Sequence, residues 1–301
     1  LMQTMSDDPI VRGKLTVYPR VFGMIAAIPF AFILPIITAV NQSVFNDMHT
    51  SFAVVTTVVV LITAGISFMG IACAKEGSHV VEEDVQVKVK ASDIVKMFKT
   101  NKPLLITKGS QVFSGFVWTI IFATTTYFVK YRYCADLSTG AIDQAKFGTL
   151  TMVIGMMQML PAMLGALLGP IIIKKFKDSM KIQIVFNWVQ VVLLLLMFIL
   201  NLLDILESNV VIFTILLGLI LLASGCNFVP GSVIGMECMD YGKWKTGKQM
   251  NGVIESVGQF LNKAQTAISS AATGLVLVAM GYVVDSKTDT YIGELSALPK
   301  I

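Results

Sequence analysis

Seven mostly apolar runs, each of about 20 residues or more, divide this chain, and short polar segments separate them. A bilayer core offers no water to the backbone. Each run must therefore be a helix that satisfies its own N–H and C=O groups. The runs are Val21–Val40, Phe52–Ala74, Leu104–Phe128, Phe147–Ile173, Ile182–Leu203, Val210–Met236, and a last one that climbs out of residues 237–250 and ends at Val284. Only 14% of the 301 residues are charged, against about 25% in soluble domains. The sequence predicts an all-α, multi-pass membrane protein.

Lysine and arginine orient the runs. Alternate loops carry Arg12, Lys14 and Arg20, then six lysines from Lys75 to Lys102, then Lys174, Lys175, Lys177 and Lys181, then Lys243, Lys245 and Lys248. The other loops hold Lys130, Arg132, Lys146, Lys287 and Lys300. Sixteen against five places the first set in the cytoplasm. The net charge of +4 is small and sided in this way, so no nucleic-acid partner is expected.

Several function classes drop out. Cys73, Cys134, Cys226 and Cys238 show no CxxC spacing, and His49 and His79 fall in loops without companions at ligand spacing, so no metal site or cofactor is expected. The sequence contains no HExxH or GxSxG and no acidic cluster within a run, which argues against a membrane enzyme. The chain begins at Leu1 and stops at Ile301 inside a polar stretch, as a piece of a longer chain would.

The residue that most needs an explanation is Lys263, about 18 Å up the last run. A lysine so placed costs about 2.5–3.5 kcal/mol on insertion scales. Glu255, Gln259, Asn262, Lys263, Thr266, Ser270 and Thr273 recur in steps of three and four, so they share one helical face. Val257, Phe260, Leu261, Ala264 and Ala267 lie opposite. Small residues alone would serve close packing. Gln259, Asn262 and Lys263 together ask for a hydrated cavity or polar partners. Asn227, in the sixth run, can line such a cavity or bond a neighbouring helix. Trp118, in the third, can stack on a sugar ring, pack in a core or face lipid.

Three stretches, SDDPIVRGKLTVYPRVFG, MFKTNKPLL and MDYGKWKTGKQMNGVIESVGQFLNKAQ, resemble the glycoside–pentoside–hexuronide:cation symporters, the melibiose-permease-like family of the major facilitator superfamily. The resemblance covers nearly the whole chain. It implies a partial major-facilitator fold, with about seven of twelve transmembrane helices, from the end of helix four to just after helix eleven. Residues 1–74 would then be the remainder of the N-terminal bundle, 75–103 the central cytoplasmic loop with a short amphipathic helix, and 104–301 the C-terminal bundle. The family's cation site, largely acidic residues on helices two and four, would lie outside this chain.

The resemblance implies further that Arg20 and Lys263 are substrate-facing, with Gln259 and Asn262 beside Lys263. Asp240, Lys243 and Lys245 would belong to a loop that helps close the cytoplasmic side. The expected function is sodium- or proton-coupled sugar symport by alternating access, in a bacterial cell membrane. A sugar, a monovalent cation and the lipid bilayer are the expected partners. A lysolipid or organic-acid cargo on the same scaffold, or a non-transporting sensor, is the alternative.

Overall fold

A computed structural model of the chain describes residues 17–18, 21–23, 25–26, 32–73, 97–136, 139, 141–247, 251–279 and 281–282. Its helices are α1 (Ile33–Val40), α2 (Met48–Cys73), α3 (Lys102–Phe128), α4 (Gln144–Phe176), α5 (Ser179–Leu202), the single turn α6 (Ile205–Ser208), α7 (Val210–Thr246) and α8 (Asn251–Ala279). Among the described residues five helices, α2 to α5 and α7, are long and apolar enough to cross a membrane. Helix α8 is as long at 29 residues, and the polar residues along one side dilute its apolar character.

Local chemistry sets where the helices start and stop. Asn101, Asp143, Asp178 and Asn209 each stand just before a long helix, and their side-chain oxygens accept first-turn N–H groups. Such caps satisfy donors that the helix leaves unpaired. Lys177 and Gly247 end α4 and α7 in the left-handed region, and each donates its N–H back to a carbonyl four residues earlier.

One expectation fails at this level. The sixth run was read as ending at Met236 before a polar loop, whereas α7 continues to Thr246. Glu237, Asp240, Lys243 and Lys245 therefore ride on the last turns of a helix that leaves the apolar layer without unwinding. Hydropathy marks the edge of the lipid, and a helix that keeps its backbone bonds can cross that edge.

The tightest packing joins α4 to α7. A Cβ on Gly165 would lie 2.3 Å from the Leu222 carbonyl, and one on Gly225 would lie 2.2 Å from the Ala162 carbonyl. Gly169 makes room for the Val229 side chain in the same way. Without hydrophobic drive inside lipid, close backbone approach and dispersion hold such helices together. Helix α5 packs on the same α7, while α3 pairs with α8. Helix α1 packs on α4 and sets Pro35 beside Gly148.

The outer end is closed by an apolar core that includes Phe147, Leu206, Phe213 and Leu217, with Phe128 and Tyr133 against it. There Tyr133 donates its hydroxyl to the Leu206 carbonyl. Tyr131 donates to the Tyr282 hydroxyl at 3.1 Å, and Tyr127 meets the Tyr282 ring edge-on. Those contacts tie the end of α3 to the segment after α8.

Gly165→Val and Gly225→Val place branched side chains where a backbone already sits. Each is expected to lose at least about 1–3 kcal/mol of stability, read as a lower melting temperature in detergent. Gly235→Ala, with nothing within 4 Å of its added carbon, is expected to melt no lower than the parent.

Candidate functional site

Helix α8 has three sides, and its sequence dictates each. One side is seated on α3 through Ile254, Gly258, Gln265 and Ser269, all buried. Gly115 of α3 gives Gln265 its room, since a Cβ there would lie 2.4 Å from the Gln265 Oε1. The Gln265 amide nitrogen donates to the Thr119 hydroxyl at 3.2 Å and to the Ser269 hydroxyl at 2.9 Å. A buried amide paired in this way fixes two helices against each other without stranding a polar group in lipid.

The same seam holds a charge pair. The Lys108 ammonium lies 3.5 Å from the Glu255 carboxylate, with the lysine side chain 11% exposed and the glutamate 52%. Both sit in the first turns of their helices, about 9 Å and 6 Å from the cytoplasmic ends. Gly258 borders the ammonium, and a Cβ there would stand 3.0 Å from it.

The second side is the polar stripe. Glu255, Gln259, Asn262, Lys263, Thr266 and Ser270 are exposed, and Thr273 is half-buried. Thr266 and Thr273 turn their hydroxyls back to carbonyls of their own helix, which leaves them little to offer a ligand. Among the described residues Lys263 makes no hydrogen bond or ion pair. The third side, with Phe260, Leu275 and Val278, is apolar and exposed. Lys263 thus lies at the edge of the stripe, one turn from Gln259 and Thr266 on its polar flank and one turn from Phe260 on the apolar one.

At the end that the lysine count assigns to the cytoplasm, two stretches distant in sequence meet. Asn101 is 1% exposed. Its oxygen accepts from the Leu104 N–H, and its nitrogen donates to the Cys238 carbonyl at 2.7 Å. Gly242 leaves space for that amide, since a Cβ there would come within 2.9 Å of it. Lys245 donates to the Thr100 carbonyl at 3.0 Å and to the Tyr241 hydroxyl at 3.3 Å, over whose ring it lies. Met97, Leu104, Ile234, Cys238, Met239 and Ile254 form the apolar core beneath. Asp240 and Lys243 stay exposed on α7.

The remaining expected residues are dispersed. Trp118 is half-buried against the outer core and stacks on Phe122 at 5.6 Å between centroids. Asn227 donates to the Asn187 side chain of α5 at 2.6 Å. Arg20 and most of the central loop lie outside the described residues. Lys108 and Gln265 were not singled out from the sequence. For Lys108 a signal was present: a lysine inside the third run and a glutamate inside the last sit at matching depth on the cytoplasmic side.

A family model described as MFS/sugar transport protein matches residues 1–296. The chain belongs to that family. The isoprimeverose transporter of Lactiplantibacillus pentosus is 26% identical over 300 residues, which cover 94% of this chain and 55% of the relative. Two proteins of Bacillus subtilis (strain 168), the uncharacterized symporters YjmB and YnaJ, are 27% and 24% identical over 205 and 284 residues. These cover 68% and 93% of this chain, and 40% and 56% of the relatives. The chain spans about half the length of the curated relatives it matches. It is a multi-pass protein of the cell membrane, and its relatives are transporters, not enzymes.

Asn101→Leu removes a helix cap and a buried cross-helix bond at once. It is expected to lose about 1–3 kcal/mol and to speed proteolysis at the cytoplasmic end of α7 in purified protein. A Gly242→Ala variant, which pushes on the same amide, is expected to move in the same direction.

Proposed function

We propose that the protein carries a sugar across the membrane together with a monovalent cation, sodium or proton, by alternating access. The observation that carries this reading is an ammonium, Lys263, without a partner among the described residues, on the exposed polar side of a helix within a sugar-transport family. Intramembrane ionisable groups mark transport paths far more often than lipid contacts.

A sugar needs donors and acceptors at several hydroxyls. Lys263 supplies three donor protons, while Gln259 and Asn262 supply both kinds. On this reading Arg20 faces the same cavity from the N-terminal bundle. Residues 1–74 and 104–301 then belong to two bundles that rock about a midplane site, with 75–103 as the cytoplasmic connection. The Asn101 and Lys245 contacts make the inner ends of α3 and α7 move together. Asp240 and Lys243 lie exposed on α7, and on this reading they help hold the cytoplasmic side closed through ion pairs to the facing bundle that break on inward opening. Joint binding of sugar and cation favours the switch through a coupling free energy of about 1–3 kcal/mol.

The test uses the full-length parent in membrane vesicles with imposed sodium or proton gradients. Isoprimeverose comes first, since the relative from Lactiplantibacillus pentosus is named for it, followed by a panel of glycosides, pentosides and hexuronides. The expected result is gradient-driven accumulation of at least one of them. Lys263→Val at unchanged membrane abundance is expected to lower the initial rate of that uptake at least about tenfold, a transition-state loss of about 1.4 kcal/mol. No accumulation of any sugar under either gradient would overturn the reading.

A further inference from the structure

Lys108 and Glu255 bring opposite charges into the membrane on facing helices, and the structure gives them unequal surroundings. The lysine is nearly enclosed, with the Glu255 carboxylate on one side and the Gly258 backbone on another. The glutamate is half-exposed and forms the cytoplasmic end of the stripe that also holds Lys263. One residue of the pair is therefore locked into the α3–α8 seam, and the other belongs to the candidate site.

We propose that Lys108 and Glu255 are a positioning pair for the transport site, setting the rotation of α8 on α3 and thereby the direction in which Lys263 is aimed. The inference rests on the stripe being the site where cargo is held. Three observations carry it. The first is that Gly258 is a notch fitted to the Lys108 ammonium. Turning α8 by one residue, about 100°, would put a side chain against that charge and swing Lys263 with the rest of the stripe away from its present direction. The second is that the deeper contacts of the seam are weaker guides. The cross-helix bond there, from the Gln265 amide to the Thr119 hydroxyl, joins two neutral groups, and a neutral bond is worth less than one between charges. Separating Lys108 from Glu255 leaves the nearly enclosed ammonium without its counter-charge.

The third observation concerns charge. Glu255 and Lys263 lie on the same stripe, two helical turns apart. With Glu255 already matched by Lys108, the Lys263 ammonium is left without a carboxylate among the described residues. It is then available to a ligand or to the facing bundle. On this proposal Lys108 is a positioning residue and makes no contact with cargo or cation. It acts through α8.

The experiment uses the full-length protein in membrane vesicles, with the four cysteines of this chain and any others replaced. Lys263→Cys then reports its own surroundings through the rate of labelling by a small water-soluble thiol reagent. Lys108→Met and Glu255→Gln are each expected to change that rate at least about fivefold. The charge swap Lys108→Glu with Glu255→Lys is expected to return it to within about twofold of the parent. In the background that retains Lys263, the single variants lose most sugar accumulation and the swap regains it.

The double variant Lys108→Met with Glu255→Met removes both charges without stranding either, so it assembles even where the single variants do not. Its labelling rate is expected to stay shifted. An unshifted rate in the single variants would overturn the proposal, as would full restoration by the double methionine variant or a swap present at normal abundance that restores nothing. The labelling arm needs no transported sugar. Absence of uptake in the parent would count against the proposed function while leaving the pair still measurable.

Discussion

A charged amine inside a bilayer must find a counter-charge, water or a route to the surface. Two lysines in this chain meet that demand in different ways. Lys108 is answered within its own bundle by Glu255, and the seam between α3 and α8 is shaped around the answer. Lys263 has no answer among the described residues and stands at the exposed polar side of α8. One ammonium is paired in the seam between two helices, and the other has no partner among the described residues, so the proposed function assigns it to the cargo. The functional reading depends on that difference.

Glycine makes the arrangement possible. Gly165 and Gly225 let α4 and α7 touch backbone to backbone, which forms the stiff centre of the bundle. Gly115, Gly242 and Gly258 do something else. Each opens space for one polar head: the Gln265 amide, the Asn101 amide and the Lys108 ammonium. In lipid a polar side chain is tolerable when a neighbour gives it room and a partner. Small residues at these positions are thus tied to particular polar groups, and general looseness of packing does not explain them.

Much of this was legible in the residues. The apolar runs located the five helices, α2 to α5 and α7, that are long and apolar enough to cross a membrane. The three motif stretches pointed to the family that residues 1–296 match. The end of α7 was not legible, because the hydropathy signal stops at Met236 while the helix continues to Thr246 through residues suited to water. The contact between Asn101 and Cys238 spans 137 positions, and the Lys108–Glu255 pair spans 147. No local pattern reports such pairings. Asn227 shows the same limit in reverse. A polar residue in the middle of a helix announces that it needs a partner, but the partner turned out to be Asn187 on α5, a choice made by tertiary packing.

Helix α3 is pinned at both extremities. Asn101 fastens its inner end to α7, and the Tyr127, Tyr131 and Tyr282 rings fasten its outer end to the segment beyond α8. A rod held at two points cannot lean or flex without dragging both anchors along. A displacement of its inner end therefore bears on α7, and one of its outer end on the segment beyond α8.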